Sequence, residues 1–134
     1  MQLQPVSIQY ESQGVQITDQ EARAMQRAVV NLFERWGLTD KQSATLLGGI
    51  ATRTYQRWKT GSYGRVDIDL RARLSNLLGI HKALRVLFRE PQRGYDWIKR
   101  DNAVFNHNSA LDIMLRGELT DLMRIRRYLD ARKS

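Results

Sequence analysis

Apolar residues recur at steps of three and four along most of the chain, and this spacing places them on one face of an α-helix. The first stripe begins after Asp19 and ends at Gly37, a residue type that commonly terminates helices. Thr18 or Asp19 can cap its start. A long first helix is therefore predicted from the apolar positions Ala22, Met25, Ala28, Val29, Leu32, Phe33 and Trp36.

Two shorter helices are predicted next, with a glycine pair at 48–49 between them. The first opens at Thr39 with Gln42 three residues later, which is the spacing of a capping box. The second covers about 52–59. A supporting helix followed by two short helices and a glycine-containing turn is the arrangement of a helix-turn-helix. The predicted core positions of this unit are Ala44, Leu47, Ile50, Tyr55 and Trp58.

The middle of the chain carries two more helical stripes. One starts at Asp67 or Asp69 and is expected to stop at Gly79, and the next covers 80–88. These stripes hold more apolar residues than a small helical core needs, so we predict that they form a dimer interface. The alternative is that all of them belong to the core of one chain. The residues concerned are Leu74, Leu77, Leu78, Leu84, Leu87 and Phe88.

Helical signals continue to the end of the sequence. A short helix is predicted around Trp97, and 102–108 is expected to be a loop. Ser109 can cap a short helix that ends before Gly117. The stripe of a final helix then consists of Leu119, Leu122, Ile125 and Leu129.

Residues 1–18 differ from the rest because their apolar residues alternate, as in a short strand or an ordered arm. The remainder predicts an all-α fold, a bundle of about seven or eight short helices with an N-terminal helix-turn-helix. We divide the chain into four regions: an arm at 1–18, the helix-turn-helix region at 19–66, a helical dimerisation or core region at 67–100, and a C-terminal helical region at 101–134.

Composition points to a polyanionic partner. The chain has 22 Lys and Arg against 14 Asp and Glu, a net charge of +8, and the basic surplus begins at residue 53. It has no cysteine, which fits a reducing cytoplasm. It also has no apolar run of the roughly 20 residues that span a bilayer and no signal-peptide pattern at its start. We therefore expect a cytoplasmic protein that does not contact a membrane.

The second short helix of the helix-turn-helix carries polar side chains on the face opposite its apolar residues. Arg matches the paired acceptors of guanine, Gln matches the edge of adenine, and Lys binds phosphates. The alternative is a solvated polar face with no DNA partner. The predicted DNA-binding residues are Lys41, Thr52, Arg53, Gln56, Arg57 and Lys59.

Little in the sequence suggests catalysis. His107, Ser109 and Asp112 lie close together, but a catalytic triad needs groups from separate elements, and Ser109 already serves as a helix cap. His81 and His107 stand apart from each other and from any carboxylate at ligand spacing, so no metal site is expected. We predict a protein that is not an enzyme.

Two stretches resemble a known family. The run from Arg53 to Gly61, Arg-Thr-Tyr-Gln-Arg-Trp-Lys-Thr-Gly, resembles the helix-turn-helix of Xre-like antitoxins. The C-terminal third resembles the toxin-binding domain shared by the Xre, MbcA and ParS antitoxins, although 106–108 reads Asn-His-Asn where a glycine-rich turn is common. The matching residues there are Trp97, Asn102, Phe105, Asn106, the run from Ser109 to Met114, Gly117, Leu122, Arg126 and the run from Tyr128 to Ala131.

The resemblance implies a partner and a mode of action. The partner would be a RES-domain toxin that consumes NAD, encoded beside the antitoxin and held inactive in the complex. The antitoxin itself would bind no NAD or other cofactor. Such proteins also dimerise and repress their own promoter by binding operator DNA, which agrees with a helix-turn-helix that needs two half-sites.

The resemblance makes 101–134 the toxin-binding region. With the stripe of the final helix turned inward, its basic and aromatic residues are expected to face outward and to press on the toxin at or near its NAD pocket. The alternative is a basic tail that only adds to the DNA-binding field. The predicted toxin-binding residues are Arg124, Arg127, Tyr128 and Lys133.

Two other functions remain open from the sequence. A stand-alone dimeric transcriptional regulator would use the C-terminal third only to dimerise, and the neighbouring gene would distinguish it from an antitoxin. A small enzyme rests only on the loose group at His107, Ser109 and Asp112.

Overall fold

The computed structural model describes residues 17–133, so the predicted arm lies almost wholly outside the described residues. The described chain is all-α, which confirms the predicted bundle of about seven or eight helices. Within 17–133 there is no strand, and a single bridge joins Asn102 to Asn108. The helices are α1 Asp19–Arg35, α2 Asp40–Leu46, α3 Thr52–Lys59, α4 Ile68–Leu87, α5 Pro91–Lys99, α6 Ala110–Met114 and α7 Leu119–Lys133, with a 3-10 turn at Ala103–Phe105.

Three helices begin at capping boxes. In each, the N-cap hydroxyl accepts a hydrogen bond from the backbone N–H of the residue three positions later. The side chain of that residue accepts a hydrogen bond from the N-cap backbone N–H in return. These bonds satisfy donors that the start of a helix leaves unpaired, and they confirm all three predicted caps. The pairs are Thr18 with Glu21, Thr39 with Gln42, and Ser109 with Asp112.

Helix α4 is continuous across Gly79, so the predicted break there is wrong. A glycine ends a helix when its backbone is left-handed, and Gly79 does not have a positive φ. Its role is to allow close approach instead. A Cβ at this position would overlap the guanidinium group of Arg126, which crosses over it from α7.

Helix α4 lies at the centre of one hydrophobic core, against α1, α5 and α7. Leu74 and Leu77 are 0% exposed and Leu84 is 2% exposed within the chain itself. The prediction that these three leucines form a dimer interface is therefore wrong, because the chain's own helices bury them. Leu78, Leu87 and Phe88 are half-buried. No helix among residues 17–133 has the length and apolar character needed to cross a membrane.

Arg73 joins three parts of the chain from inside the bundle. Its Nη1 donates to the carbonyl of Gly117, before α7, at 2.9 Å, and to the carbonyl of Leu46, at the end of α2, at 3.5 Å. Its Nε donates to Asp69 at 2.9 Å. The guanidinium also packs on Gly48, where a Cβ would meet it at 2.9 Å. The helix-turn-helix and the C-terminal region are thus tied to the same side chain.

Replacing Arg73 by Met should lower the free energy of unfolding by about 1 to 3 kcal/mol, because buried carbonyls lose their donor while the aliphatic stem remains. Urea unfolding should show a lower midpoint with an unchanged slope. Arg71→Met, two residues away on α4, is the control, since Arg71 Nε has no hydrogen-bond partner among residues 17–133. Equal midpoints for the two variants would contradict the role given to Arg73.

Candidate nucleic-acid interface and C-terminal site

Helices α2 and α3 form the predicted helix-turn-helix against α1. The turn between them contains Gly48 and Gly49, whose φ angles of 93° and 79° are in the left-handed region that favours glycine. The predicted core positions are buried, except for Ile50, which is half-buried. Tyr55 and Trp58 are each 2% exposed, and this burial excludes them as stacking platforms for bases.

The outer face of α3 presents the side chains that the sequence places there. Thr52, Arg53, Gln56 and Arg57 are all exposed. The guanidinium groups of Arg53 and Arg57 have no hydrogen-bond or ion-pair partner in the described part of the chain, so both can reach a ligand. Lys41 is likewise exposed, near the start of α2.

Two of the predicted DNA-binding residues have an intramolecular partner, Asp40 at the start of α2. Lys59 Nζ lies 2.8 Å from Asp40 Oδ1, and Gln56 Nε2 donates to Asp40 Oδ2 at 3.1 Å. The hydrogen bonds from Lys59 and then Gln56 lower the pKa of Asp40, and the bond to Asp40 raises the pKa of Lys59. The pair is therefore charged at neutral pH, and the charge of Lys59 is offset.

Gln26, on α1, fixes the loop that follows α3. Its side chain is fully buried, its Nε2 donates to the carbonyl of Gly64 at 3.2 Å, and its Oε1 accepts from the N–H of Gly64 at 3.1 Å. A buried amide is stable only when its donors and acceptor are paired, and this loop pairs them. The loop carries Arg65, which is exposed.

The C-terminal site is built on an aromatic cluster that consists of Trp97, Phe105 and Tyr128. Tyr128 lies nearly parallel to Trp97, with ring centroids 6.1 Å apart, and meets Phe105 edge-on at 5.2 Å. These geometries are favourable for aromatic pairs. Tyr128 is half-buried as a result, so it faces outward only in part.

Arginines cover this aromatic cluster. The guanidinium carbon of Arg124 lies 5.4 Å from the centroid of Phe105, and that of Arg132 lies 4.3 Å from the centroid of Tyr128, both within cation–π range. Sequence reasoning missed Arg132, although its position four residues after Tyr128 on a helix was a usable signal.

The other two predicted toxin-binding residues differ in their surroundings. Arg127 is exposed and has no hydrogen-bond or ion-pair partner among the described residues. Lys133 is exposed and lies 3.2 Å from Asp130, which also pairs with Arg126 at 3.6 Å. The exposed face of α7 therefore presents Arg124 and Arg127 most openly.

The segment before α6 is shaped by asparagines. Asn106 and His107 have φ angles of 55° and 65°, and Asn is among the residues that tolerate this backbone region best. Ser109 is buried as a helix cap and shares reciprocal hydrogen bonds of 3.0 Å with Asp112. These two residues therefore stabilise a helix start. Residues 17–133 contain no group of three or more possible ligands that could hold a metal ion.

Comparisons with known proteins fit both halves of this structure. Residues 15–79 match the antitoxin Xre-like helix-turn-helix domain, and residues 83–134 match the antitoxin Xre/MbcA/ParS C-terminal toxin-binding domain. The chain is also 42% identical over 106 residues to the uncharacterized protein y4oB of Sinorhizobium fredii (strain NBRC 101917 / NGR234), which covers 79% of this chain and 81% of that protein.

A solved structure shares the fold. A chain from the crystal structure of the M. tuberculosis MbcT-MbcA toxin-antitoxin complex superposes with a TM-score of 0.55 at 20% identity, covering 80% of this chain and 92% of that one. The molecule is thus a helix-turn-helix protein with a C-terminal helical unit on a shared core. It belongs to the Xre/MbcA/ParS family of antitoxins.

Proposed function

We propose that this protein is the antitoxin of a type II toxin–antitoxin system, that it neutralises a RES-domain toxin that consumes NAD, and that it represses its own operon in the cytoplasm. The observation that carries the proposal is the match of 83–134 to a toxin-binding domain on the same chain as a helix-turn-helix. Inhibition would result from direct binding near the active site of the toxin, without chemistry by the antitoxin.

The exposed face of α3 supports the DNA-binding part of the proposal. Arg53 and Arg57 are unpaired within the described chain and lie one turn apart on a helix held by a buried Tyr55 and Trp58. Arg side chains in this position can donate in pairs to guanine. Lys41 would contact phosphate from α2 and fix the register.

Dimerisation would give the protein two recognition helices for two half-sites. Val86 near the end of α4 supports an apolar contact, because it is 61% exposed while its neighbours Leu87 and Phe88 are half-buried. Val86 is the position near the end of α4 at which the proposed dimer would bury an exposed apolar side chain.

The α7 face supports the toxin-binding part. Arg124 is held over an aromatic ring and is therefore partly ordered before binding, which reduces the entropy lost in a complex. Arg and Tyr are also the residues most often found at energetically important interface positions. The proposed contacts are Arg124, Arg127, Tyr128 and Lys133, with Tyr128 acting mainly as the support of the cluster.

A stand-alone dimeric regulator is the competing function. The match of 83–134 to a toxin-binding domain favours the antitoxin, because a regulator that only dimerises has no need of that domain.

Removal of Arg53 and Arg57 side chains should impair sequence recognition. Each lost base contact should cost about 1 to 3 kcal/mol with DNA from upstream of the gene. Fluorescence anisotropy against that DNA and a scrambled duplex of equal length measures the loss. Lys41→Ala should instead weaken binding to both duplexes and lower the salt slope by about one. Unchanged operator affinity in the Arg53→Ala, Arg57→Ala double variant would contradict the assignment.

The dimer is tested at Val86. Light scattering at micromolar concentration should give the wild-type protein twice the 15.6 kDa chain mass and Val86→Glu the mass of a single chain. A buried, unpaired carboxylate is too costly for the interface to persist. Val104→Glu is a matched control, since Val104 is 54% exposed and lies outside α4. A wild-type protein of monomer mass would refute the dimer.

Toxin binding is tested by charge reversal on α7. A chain cut at Arg100 would uncover the core residues Leu122, Ile125 and Leu129, so folded point variants are the better probe. Arg124→Glu with Arg127→Glu should weaken binding to the RES-domain protein encoded beside the gene by about 2 kcal/mol or more, roughly 30-fold, in calorimetry. NAD consumption should resume in parallel.

Charge reversal of Arg23 and Arg27, exposed on α1, provides the matched control for the change in net charge. The control pair should inhibit the toxin as the wild-type protein does. If the α7 pair also inhibits fully while remaining folded by circular dichroism, α7 is not the inhibitory surface.

A further inference from the structure

One carboxylate links the two helices of the helix-turn-helix by accepting hydrogen bonds from polar side chains of the second helix. Asp40 is the first residue of α2, whereas Gln56 and Lys59 lie on α3. Asp40 Oδ2 accepts from Gln56 Nε2 at 3.1 Å, and Oδ1 lies 2.8 Å from Lys59 Nζ. Both oxygens of one carboxylate are thus engaged by residues of α3, and Gln56 shares the exposed face of that helix with Arg53 and Arg57.

The carboxylate determines which way the Gln56 amide points. An ionised carboxylate only accepts hydrogen bonds, so the amide must turn its nitrogen, not its oxygen, towards Asp40. Gln56 then retains one N–H donor and its Oε1 acceptor without a partner among the described residues. The major-groove edge of adenine offers the complementary acceptor and donor, N7 and the N6 amino group.

Lys59 makes this arrangement compatible with DNA. A lone carboxylate close to a phosphate backbone would be repelled, but the adjacent ammonium offsets its charge. Hydrogen bonds from Lys59 and Gln56 also lower the pKa of Asp40, so the acceptor state persists at neutral pH. Lys59 is correspondingly less available to phosphate than Lys41.

We propose that Asp40 is a positioning residue for base readout, which holds the Gln56 amide in the orientation that selects adenine. The inference rests on the proposed binding of operator DNA and adds a specificity determinant on a helix other than the recognition helix. Because Gln56 is ordered before DNA arrives, the complex avoids the cost of immobilising a flexible side chain.

The test is a selection of DNA sequences from a random pool, carried out with the wild-type protein, Gln56→Ala and Asp40→Ala. Gln56→Ala should lose an adenine preference at one position of the half-site. Asp40→Ala should reduce the preference at that same position by about 2- to 12-fold, which corresponds to about 0.5 to 1.5 kcal/mol for ordering one side chain. Binding to scrambled DNA should strengthen, with a steeper salt slope, because a negative charge is lost.

Asp19→Ala is the matched control. Asp19 is the first residue of α1 and follows a Thr in a capping box, just as Asp40 does in α2, but it has no side-chain hydrogen-bond partner in residues 17–133. Asp19→Ala should leave every base preference unchanged. If it instead lost as much preference as Asp40→Ala does, the loss in Asp40→Ala would be a general effect of charge or helix stability, and the proposal would be overturned.

Two further outcomes separate the proposal from the function on which it rests. If Gln56→Ala loses a base preference and Asp40→Ala retains it fully, Asp40 does not position Gln56, while operator binding stands. If the wild-type protein enriches no sequence at all, operator recognition fails and the positioning role fails with it. The double variant Asp40→Ala, Gln56→Ala should lose no more base preference than Gln56→Ala alone. That result would support the proposal, since Asp40 would then act through Gln56.

Discussion

The structure depends on the buried guanidinium of Arg73, which bonds to backbone carbonyls of two separate regions. It binds the end of α2 through Leu46 and the turn before α7 through Gly117. A charged group in a core is tolerated only when its donors are paired, so each of these segments must keep its place. Because α4 carries Arg73 and also supplies the central apolar face, the helix-turn-helix and the toxin-binding region pack on the same helix.

The charged side chains on the surface are of two kinds: some have no partner among the described residues, and others already form an ion pair. Arg53, Arg57 and Arg127 are exposed without described partners, and these side chains can meet a phosphate, a base or a carboxylate. Lys59 and Lys133 are paired with Asp40 and Asp130. Exposed ion pairs add little stability, so their effect here is on orientation and on which charges reach a partner.

Local signals in the sequence were sufficient for the helix starts, because a capping box involves residues only three apart, as at Thr39. The outer face of α3 followed from the apolar period for the same reason. The predicted helix end at Gly79 was wrong because nothing near Gly79 in the sequence shows that Arg126, from another helix, packs against it. Tyr128 was placed too far outward because Trp97 packs on it from a distant segment. Periodicity identifies helical faces but not which distant side chain reaches them.

We expect the chain to bind its two proposed partners through separate surfaces, operator DNA through α3 and the toxin through α7. Sedimentation velocity with a fluorescent operator, the protein and the proposed RES-domain partner tests this expectation. The expected result is one species that contains all three components, with the DNA still bound after the toxin is saturated. Release of the DNA in proportion to the toxin added would contradict it, since the two partners would then compete for the same surface.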